Sequence, residues 1–150
     1  MIISDTTPRA SGFRMPAEWE SHEACWMWWP WARQVWDPGL RGPDGLSAAR
    51  DAYAAVARAI ARFEPVRMVT RAEDAADARD RCGDAVQILE FPVDDAWARD
   101  TGPSFLIGPA GELAGVDWQF NNYGNEAWAG KAALPEAGFA NDRRIASRVL

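Results

Sequence analysis

The sequence predicts a mixed α/β fold, because stretches with helical and strand patterns follow one another along its 150 residues. Hydrophobic residues make up 48% of the chain, which is typical of a globular protein with a buried core. Proline and glycine stand between the patterned stretches and separate them. We therefore expect helices packed on strands within one domain over residues 1–150.

The first half of the chain contains one strand pattern and the clearest helix pattern. Residues 18–31 are largely apolar and predict a strand that stops at Pro30, and residues 37–45 predict a loop, since they carry two prolines and three glycines. Ser47 occupies a position suited to a helix N-cap, and Pro65 marks the end of that helix. Apolar residues recur between them at helical spacing: Ala52, Val56, Ala59, Ile60 and Phe63.

The second half predicts alternating short elements. Strands are expected over residues 65–70 and 85–91, on either side of a charged helix over 72–81 that stops at Gly83. Residues 104–107 and 113–120 predict a hairpin, and Asn141 predicts the cap of a helix over 142–150. Because that helical pattern has no stop signal, we expect the sequence to be the first part of a longer protein.

Charge and composition narrow the function classes. The 22 acidic and 16 basic side chains give a net charge of -6, which disfavours nucleic acid as a partner and favours a small cation. Two cysteines and one histidine predict neither a disulfide framework nor a zinc site, and no cofactor is expected. No apolar stretch approaches the roughly 18 residues that span a bilayer, so we expect a soluble, cytoplasmic protein without membrane contact.

The segment DDAWARDTGP at residues 94–103 is the strongest candidate for a binding site. Trp97 and Asp100 stand three residues apart on a loop that follows a strand. A carboxylate and a flat aromatic suit a guanidinium ion, which is planar, permanently charged and rich in N–H donors. Surface ion pairs between these aspartates and Arg99 or Arg71, worth at most about 1 kcal/mol, are the alternative. Spacing alone leaves both open.

Tryptophan is unusually abundant, with nine residues in the chain and five within eleven positions. These five are Trp26, Trp28, Trp29, Trp31 and Trp36. Packing in the core is one interpretation, since tryptophan carries a large apolar surface. An aromatic wall that stacks on a cation or a sugar is the other, so a non-catalytic module that binds a cation or glycan remains an alternative function.

Three blocks resemble the agmatine deiminase family, which belongs to the bacterial-type peptidyl-arginine deiminases. They occur in family order: residues 12–30, which contain GFRMPAEW, HEA and WMWWP, then 94–103, and then 115–121 (GVDWQFN). The resemblance implies a pentein fold, an α/β propeller of five ββαβ units around a pseudo-fivefold axis. A chain of this length would be a partial propeller with about two of the five units, the N-terminal part of a single domain.

The resemblance also implies a guanidino hydrolase. A cysteine thiolate attacks the guanidinium carbon of agmatine, ammonia leaves, and water releases N-carbamoylputrescine on a route to polyamines. Asp100 matches the catalytic carboxylate that binds the guanidinium nitrogens, and Trp97 matches a substrate-binding aromatic of the same pocket. The family's nucleophilic cysteine and catalytic histidine match positions beyond residue 150, so we expect no turnover by this chain alone.

Other residues depart from the family pattern or match it without a catalytic role. Cys25, Cys82 and His22 are expected to be structural. Residues 122–126 (NYGNE) lack the arginine that would hold a substrate carboxylate, which favours agmatine over the alternative, peptidyl arginine. Gln119 stands where the resemblance implies a basic residue. The sequence leaves the oligomeric state open, including a homo-oligomer.

Overall fold

A computed structural model describes residues 6–36, 44–123 and 139–150 of the chain. The strands are β1 (Cys25–Trp28), β2 (Val66–Thr70), β3 (Val86–Glu90), β4 (Ser104–Ile107) and β5 (Leu113–Val116). The helices are α1 (Arg33–Trp36), α2 (Gly45–Ile60), α3 (Ala75–Cys82), α4 (Ala98–Thr101) and α5 (Asp142–Val149), and a 3-10 turn (Ala72–Asp74) precedes α3. The predicted mixed α/β class is confirmed.

The first three strands form a parallel sheet in the order β1-β2-β3. Met27 pairs with Met68, and Met68 pairs with Ile88, so the central strand β2 is hydrogen-bonded on both edges. Helices α2 and α3 cover this sheet through small side chains such as Ala57 and Ala78, which are fully buried. Four of the five residues of β2 are buried, as is typical of a central strand in a parallel sheet.

The parallel arrangement places the carboxyl ends of β1, β2 and β3 at one edge of the sheet. The chain leaves β1 there, and the Trp29 N–H donates to the Val69 carbonyl at 2.8 Å. It leaves β3 there as well, and the Phe91 N–H donates to the Thr70 carbonyl at 3.1 Å. In parallel α/β sheets, ligands bind outside this edge. The tryptophan block and the 94–103 segment therefore meet at the edge where a site is expected.

Strands β4 and β5 form the predicted antiparallel hairpin, with Leu106 paired to Ala114. Arg14 bridges to Ile107 on the opposite edge of β4 through two backbone hydrogen bonds of 3.0 and 2.9 Å. The second strand ends at Val116, whereas the sequence predicts that it continues to residue 120. Phe120 instead donates its N–H to the Trp118 carbonyl, which turns the chain out of the strand.

Helix α2 begins earlier than its sequence pattern predicts. Gly45 and Leu46 are already helical and buried, whereas the N-cap was expected at Ser47. Burial of Leu46 extends the apolar face by a turn, and the Ser47 hydroxyl contacts Arg81 of α3 instead of capping. The predicted stop of α3 is confirmed, because Gly83 adopts a positive φ of 74° that favours glycine. Most of the predicted 37–45 loop lies outside the described residues.

No helix in the described ranges is long and apolar enough to cross a bilayer.

Candidate functional site

The sequence predicts a loop over residues 94–103, after β3. The structure has a one-turn helix, α4, within this segment. Trp97 is the N-cap of α4, and its carbonyl accepts hydrogen bonds from the N–H groups of Asp100 and Thr101, both at 3.1 Å. These bonds close the turn, and the chain leaves it through Gly102 and Pro103. The structure therefore brings Trp97 and Asp100 together within a single turn.

Trp97 is held by one hydrogen bond and one ring contact. Its indole Nε1 donates to the Asp95 Oδ2 at 2.8 Å, and its ring stacks on Trp36 with centroids 5.8 Å apart. The residue nonetheless remains 39% exposed. Part of its aromatic surface is therefore open to a ligand while its orientation is fixed.

Thr101 is a buried residue of the site that sequence reasoning missed. Its hydroxyl donates to the Trp97 carbonyl at 3.0 Å and accepts from the Trp28 indole Nε1 at 2.8 Å. It thereby links β1 to the start of α4. One signal in the sequence could have indicated this role. A threonine hydroxyl can donate one hydrogen bond and accept another, and the many tryptophans of this chain each carry one N–H donor that needs an acceptor.

Asp100 is exposed, and its charge acts on the Tyr123 hydroxyl. Burial, the Asp100 charge and hydrogen bonding to Asp100 raise the pKa of Tyr123 to about 12. Tyr123 and its neighbour Asn122 have positive φ angles of 59° and 53°, which are uncommon for residues other than glycine. Sequence reasoning missed Tyr123, because no local pattern connects it to Asp100.

The alternative in which Arg99 or Arg71 pairs with the aspartates of this segment is wrong. Arg99 pairs with Glu18 at 2.9 Å, and both side chains are highly exposed. Arg71 pairs with Asp74 at 2.7 Å and with Glu73 at 3.2 Å. Among the described residues, neither arginine therefore neutralises Asp100.

Asp94 and Asp142 clamp the segment to the start of α5. The Asp94 carboxylate accepts from the Asn141 N–H at 2.7 Å, from the Asn141 side-chain amide at 2.8 Å and from the Asp142 N–H at 3.2 Å. Asp142 Oδ1 accepts in return from the N–H groups of Asp94 at 2.7 Å and Asp95 at 3.4 Å. The predicted cap, Asn141, makes no side-chain capping bond, since Asp94 takes that role.

Burial changes the protonation behaviour of two carboxyl groups at this clamp. Desolvation raises the pKa of Asp142 to about 7, although its hydrogen bonds to the backbone at Asp94 and Asp95 oppose the shift. Burial also raises the pKa of Asp95, against the bonds from Ala96 and Trp97. The region around Trp97 is therefore acidic but carries less charge than its carboxyl count suggests.

The cysteines and the histidine behave as the sequence predicts. Cys82 is buried and Cys25 partly buried, and burial raises the pKa of both thiols, so neither is an activated thiolate. His22 Nδ1 lies 3.0 Å from Glu64 Oε2, after the end of α2. Within the described ranges, no cluster of His, Cys, Asp and Glu suits a metal ion.

The tryptophan block is mainly packing, which decides between the two interpretations for most of its members. Trp28 and Trp29 are fully buried, and the Arg71 guanidinium lies 3.8 Å from the ring centre of Trp31. Trp36 differs from these, because it contacts Trp97 and so supports the candidate site. Only that edge of the block is placed to contribute an aromatic wall.

Two surface cavities of about 350 and 360 Å³ lie beside the site and not over Asp100. Trp31 and Arg71 line both, and Asp94 lines the first. Arg71 is already stacked on Trp31 and ion-paired with Asp74 there. We therefore place the candidate site at Trp97 and Asp100, where the described residues form one open wall.

These features define an α/β protein with an indole and a carboxylate presented together at the carboxyl edge of a parallel sheet. The chain belongs to the Porphyromonas-type peptidyl-arginine deiminase family, which matches residues 14–150. The resemblance inferred from the sequence blocks is confirmed.

Two curated relatives show how the match is distributed. The chain is 44% identical over 146 residues to an agmatine deiminase of Pseudomonas aeruginosa, covering 97% of this chain and 37% of the relative. It is 49% identical over 124 residues to a putative agmatine deiminase of Streptomyces avermitilis, covering 83% of this chain and 35% of the relative. The chain thus spans little more than a third of their length.

A solved structure also matches nearly the whole chain. The agmatine deiminase of Enterococcus faecalis superposes with a TM-score of 0.82 at 35% identity, over 98% of this chain and 37% of that protein. The agreement covers all the described elements that position Trp97 and Asp100, since nearly the whole chain is matched.

Proposed function

We propose that this chain forms the N-terminal part of a guanidino hydrolase that converts agmatine and water to N-carbamoylputrescine and ammonia. The observation that carries the proposal is the single turn that presents Trp97 and Asp100 together, in a chain of this family. The proposed substrate follows from the relatives, whose names assign agmatine deimination to them.

The binding chemistry suits a guanidinium group. Asp100 is an exposed acceptor with two oxygens that can take paired N–H donors. A guanidinium can donate two N–H groups to a carboxylate in its own plane, while the exposed part of the Trp97 ring contacts its face. In this role Asp100 orients the group for reaction and Trp97 restricts its position.

The proposed reaction has two steps. A thiolate forms a bond to the guanidinium carbon, and the C–N bond to one terminal nitrogen breaks as that nitrogen takes a proton and leaves as ammonia. Water then adds to the same carbon and the C–S bond breaks, which returns the thiolate and gives the ureido product. Neither thiol of this chain is activated, so the thiolate and the general acid/base come from residues outside it.

The finer architecture is also part of the proposal. The described sheet and hairpin would correspond to about two of the five ββαβ units of a pentein propeller, within one domain of which residues 1–150 are the N-terminal part. Support comes from the superposition on agmatine deiminase of Enterococcus faecalis over 37% of that protein.

Agmatine is preferred over peptidyl arginine because the described surroundings of Asp100 are acidic. The charges of Asp95, Asp100 and Asp142 all act on Tyr123, and a substrate carboxylate would be repelled by them. Residues 122–126 contain no arginine that could hold a substrate carboxylate, and the structure describes only 122 and 123 of them. Agmatine carries an amine and a guanidinium and no carboxylate.

A chimera tests the proposal without requiring catalysis by this chain alone. The matched segment of the Pseudomonas aeruginosa relative is replaced by residues 1–150, and ammonia release from agmatine is measured. We expect turnover within about tenfold of the relative, because the segment would supply the same orienting groups. Arginine and a peptide with C-terminal arginine serve as comparison substrates and should release at least about 100-fold less ammonia.

Three results would contradict parts of the proposal. A folded chimera that binds agmatine without releasing ammonia would favour the non-catalytic binding module. Preference for the arginine peptide would favour peptidyl-arginine deimination. A folded chimera that neither binds nor turns over any of the three substrates would remove the functional assignment altogether.

A further inference from the structure

We propose that Asp142 is a positioning residue for Trp97, acting through the backbone at Asp94 and Asp95 and then through the Asp95 carboxylate. The inference deepens the proposed function and rests on it only in the statement that Trp97 contacts substrate. The chain of contacts from α5 to the indole stands on geometry in this chain.

The first link fixes the backbone before Trp97. Asp142 Oδ1 accepts N–H groups from two consecutive residues, Asp94 at 2.7 Å and Asp95 at 3.4 Å. Asp142 is only 3% exposed, so water cannot readily replace it as the acceptor. The loop conformation at residues 94 and 95 is therefore set by a side chain from α5.

The second link runs from this backbone to the indole. With its N–H held by Asp142, Asp95 accepts from the Ala96 N–H through Oδ1 at 2.7 Å and from Trp97 Nε1 through Oδ2 at 2.8 Å. Both oxygens of Asp95 are thus used, one to shape the turn and one to aim the ring. Rotation of the Asp95 backbone would move the only described hydrogen-bond acceptor of the Trp97 indole.

The anchor itself is firmly placed. Ile145, three residues after Asp142, is fully buried and packs in one core cluster with Trp28, Val93 and Ala96. The Asp94 carboxylate also caps the start of α5 in the opposite direction, with three hydrogen bonds of 2.7 to 3.2 Å. Helix α5 therefore has a fixed position from which Asp142 can define the loop.

The test uses the 150-residue chain and the amide and indole N–H signals of its NMR spectrum. The Trp97 indole signal is assigned by its loss in Trp97→Phe. In Asp142→Ala we expect that signal to shift and its hydrogen exchange to speed up by about tenfold or more, because the acceptor at Asp95 is no longer held. In Asp142→Asn the remaining Oδ1 can still accept both backbone N–H groups, so the signal should stay near its original position.

Ile145→Val is the matched control, since it shortens a buried side chain of the same helix and leaves every hydrogen bond of the loop in place. It should leave the Trp97 signal near its original position. If Asp142→Ala does not fold, Asp142→Ser replaces it, because its shorter acceptor cannot reach both N–H groups. An unchanged indole signal in the folded variant, or an equal shift in Ile145→Val, would overturn the positioning role.

This outcome is separate from the proposed function. The indole measurement contains no substrate, so its failure leaves ammonia release by the chimera untouched. A chimera without activity, combined with the expected indole shift, would overturn the proposed function and keep the positioning role.

Discussion

At the scale of single residues, Thr101 supports the candidate site from a buried position. Its hydroxyl is buried between the Trp28 indole and the Trp97 carbonyl and serves both in one hydrogen-bonded chain. A buried polar group that loses its partner costs about 1–3 kcal/mol, whereas an exposed one costs little. The effect of removing this hydroxyl is therefore measurable.

Thr101→Val keeps the shape of the side chain and removes both hydrogen bonds. We expect the free energy of unfolding to fall by about 1–3 kcal/mol, measured by urea denaturation, because the Trp28 N–H is left buried without an acceptor. Thr70→Val is the matched control, since Thr70 is also fully buried but its hydroxyl makes one bond, to the adjacent Arg71 carbonyl at 3.2 Å. Equal losses in the two variants would contradict the special role of Thr101.

The raised pKa of Asp142 predicts that the folded chain becomes less stable as the pH rises towards 7. Its pKa is about 7 in the folded chain and about 3.9 in an unfolded one, so the folded state holds the extra proton between these values. Stability from this group is complete below about pH 4, falls as the pH rises towards 7, and is level above that. The slope is at most about 1.4 kcal/mol per pH unit.

Urea denaturation of the original chain and of Asp142→Asn at several values between pH 4.5 and 7.5 measures this contribution. Because the asparagine cannot titrate, Asp142→Asn should become more stable relative to the original chain as the pH rises. A difference that stays constant over this range would contradict the raised pKa of Asp142.

At the scale of elements, an arginine connects the tryptophan block to the helical layer. Arg50 of α2 donates to Asp77 of α3 at 2.8 Å, to Asp74 at 2.6 Å and to the Pro30 carbonyl at 2.9 Å. Its side chain is 14% exposed, so these charges are largely removed from water. These hydrogen bonds fix α2 and α3 relative to the segment that follows β1.

Arg50→Met tests this connection. Loss of the guanidinium removes one arginine partner from each carboxylate, while Arg71 still pairs with Asp74 and Arg81 with Asp77. We expect the free energy of unfolding to fall by about 1.5–3 kcal/mol, because hydrogen bonds to charged groups are lost in a largely buried position. Arg79→Met is the control, because the Arg79–Glu90 pair is 56% and 44% exposed and should contribute less than about 1 kcal/mol. Similar losses in thermal or urea unfolding of the two variants would contradict the difference in burial.

The elements themselves were largely predictable from the sequence. Alternating apolar residues and Gly83 mark β2 and the end of α3 because these signals are local in the chain. The predicted end of α2 at Pro65 is wrong, since the helix ends at Ile60 and Phe63 is exposed beyond it. The cap of α5 was not predictable, since its acceptor, Asp94, lies 47 residues before Asn141 and only the fold brings the two together. The early start of α2 likewise depends on burial of Leu46 by tertiary packing.

At the scale of the whole molecule, the described residues present an exposed carboxylate beside an indole and no activated cysteine thiol. Asp100 is exposed on a single turn beside Trp97, and both cysteine thiols have raised pKa values. The motif at residues 94–103 led to both proposed site residues, Trp97 and Asp100, and the structure places them on one turn. Tyr123, Thr101 and Asp142 were missed because each acts through a contact that is distant in sequence or hidden from solvent.

The role of Asp100 is tested most directly in the chimera with the Pseudomonas aeruginosa relative. Asp100→Asn keeps the size of the side chain and removes the negative charge, and Asp84→Asn makes the same change at an exposed turn after α3, outside the site. For agmatine we predict that kcat/KM falls by about 1,000-fold or more in Asp100→Asn and stays within about twofold in Asp84→Asn. Equal kcat/KM values for the two variants would contradict the claim that the Asp100 carboxylate holds the guanidinium for reaction.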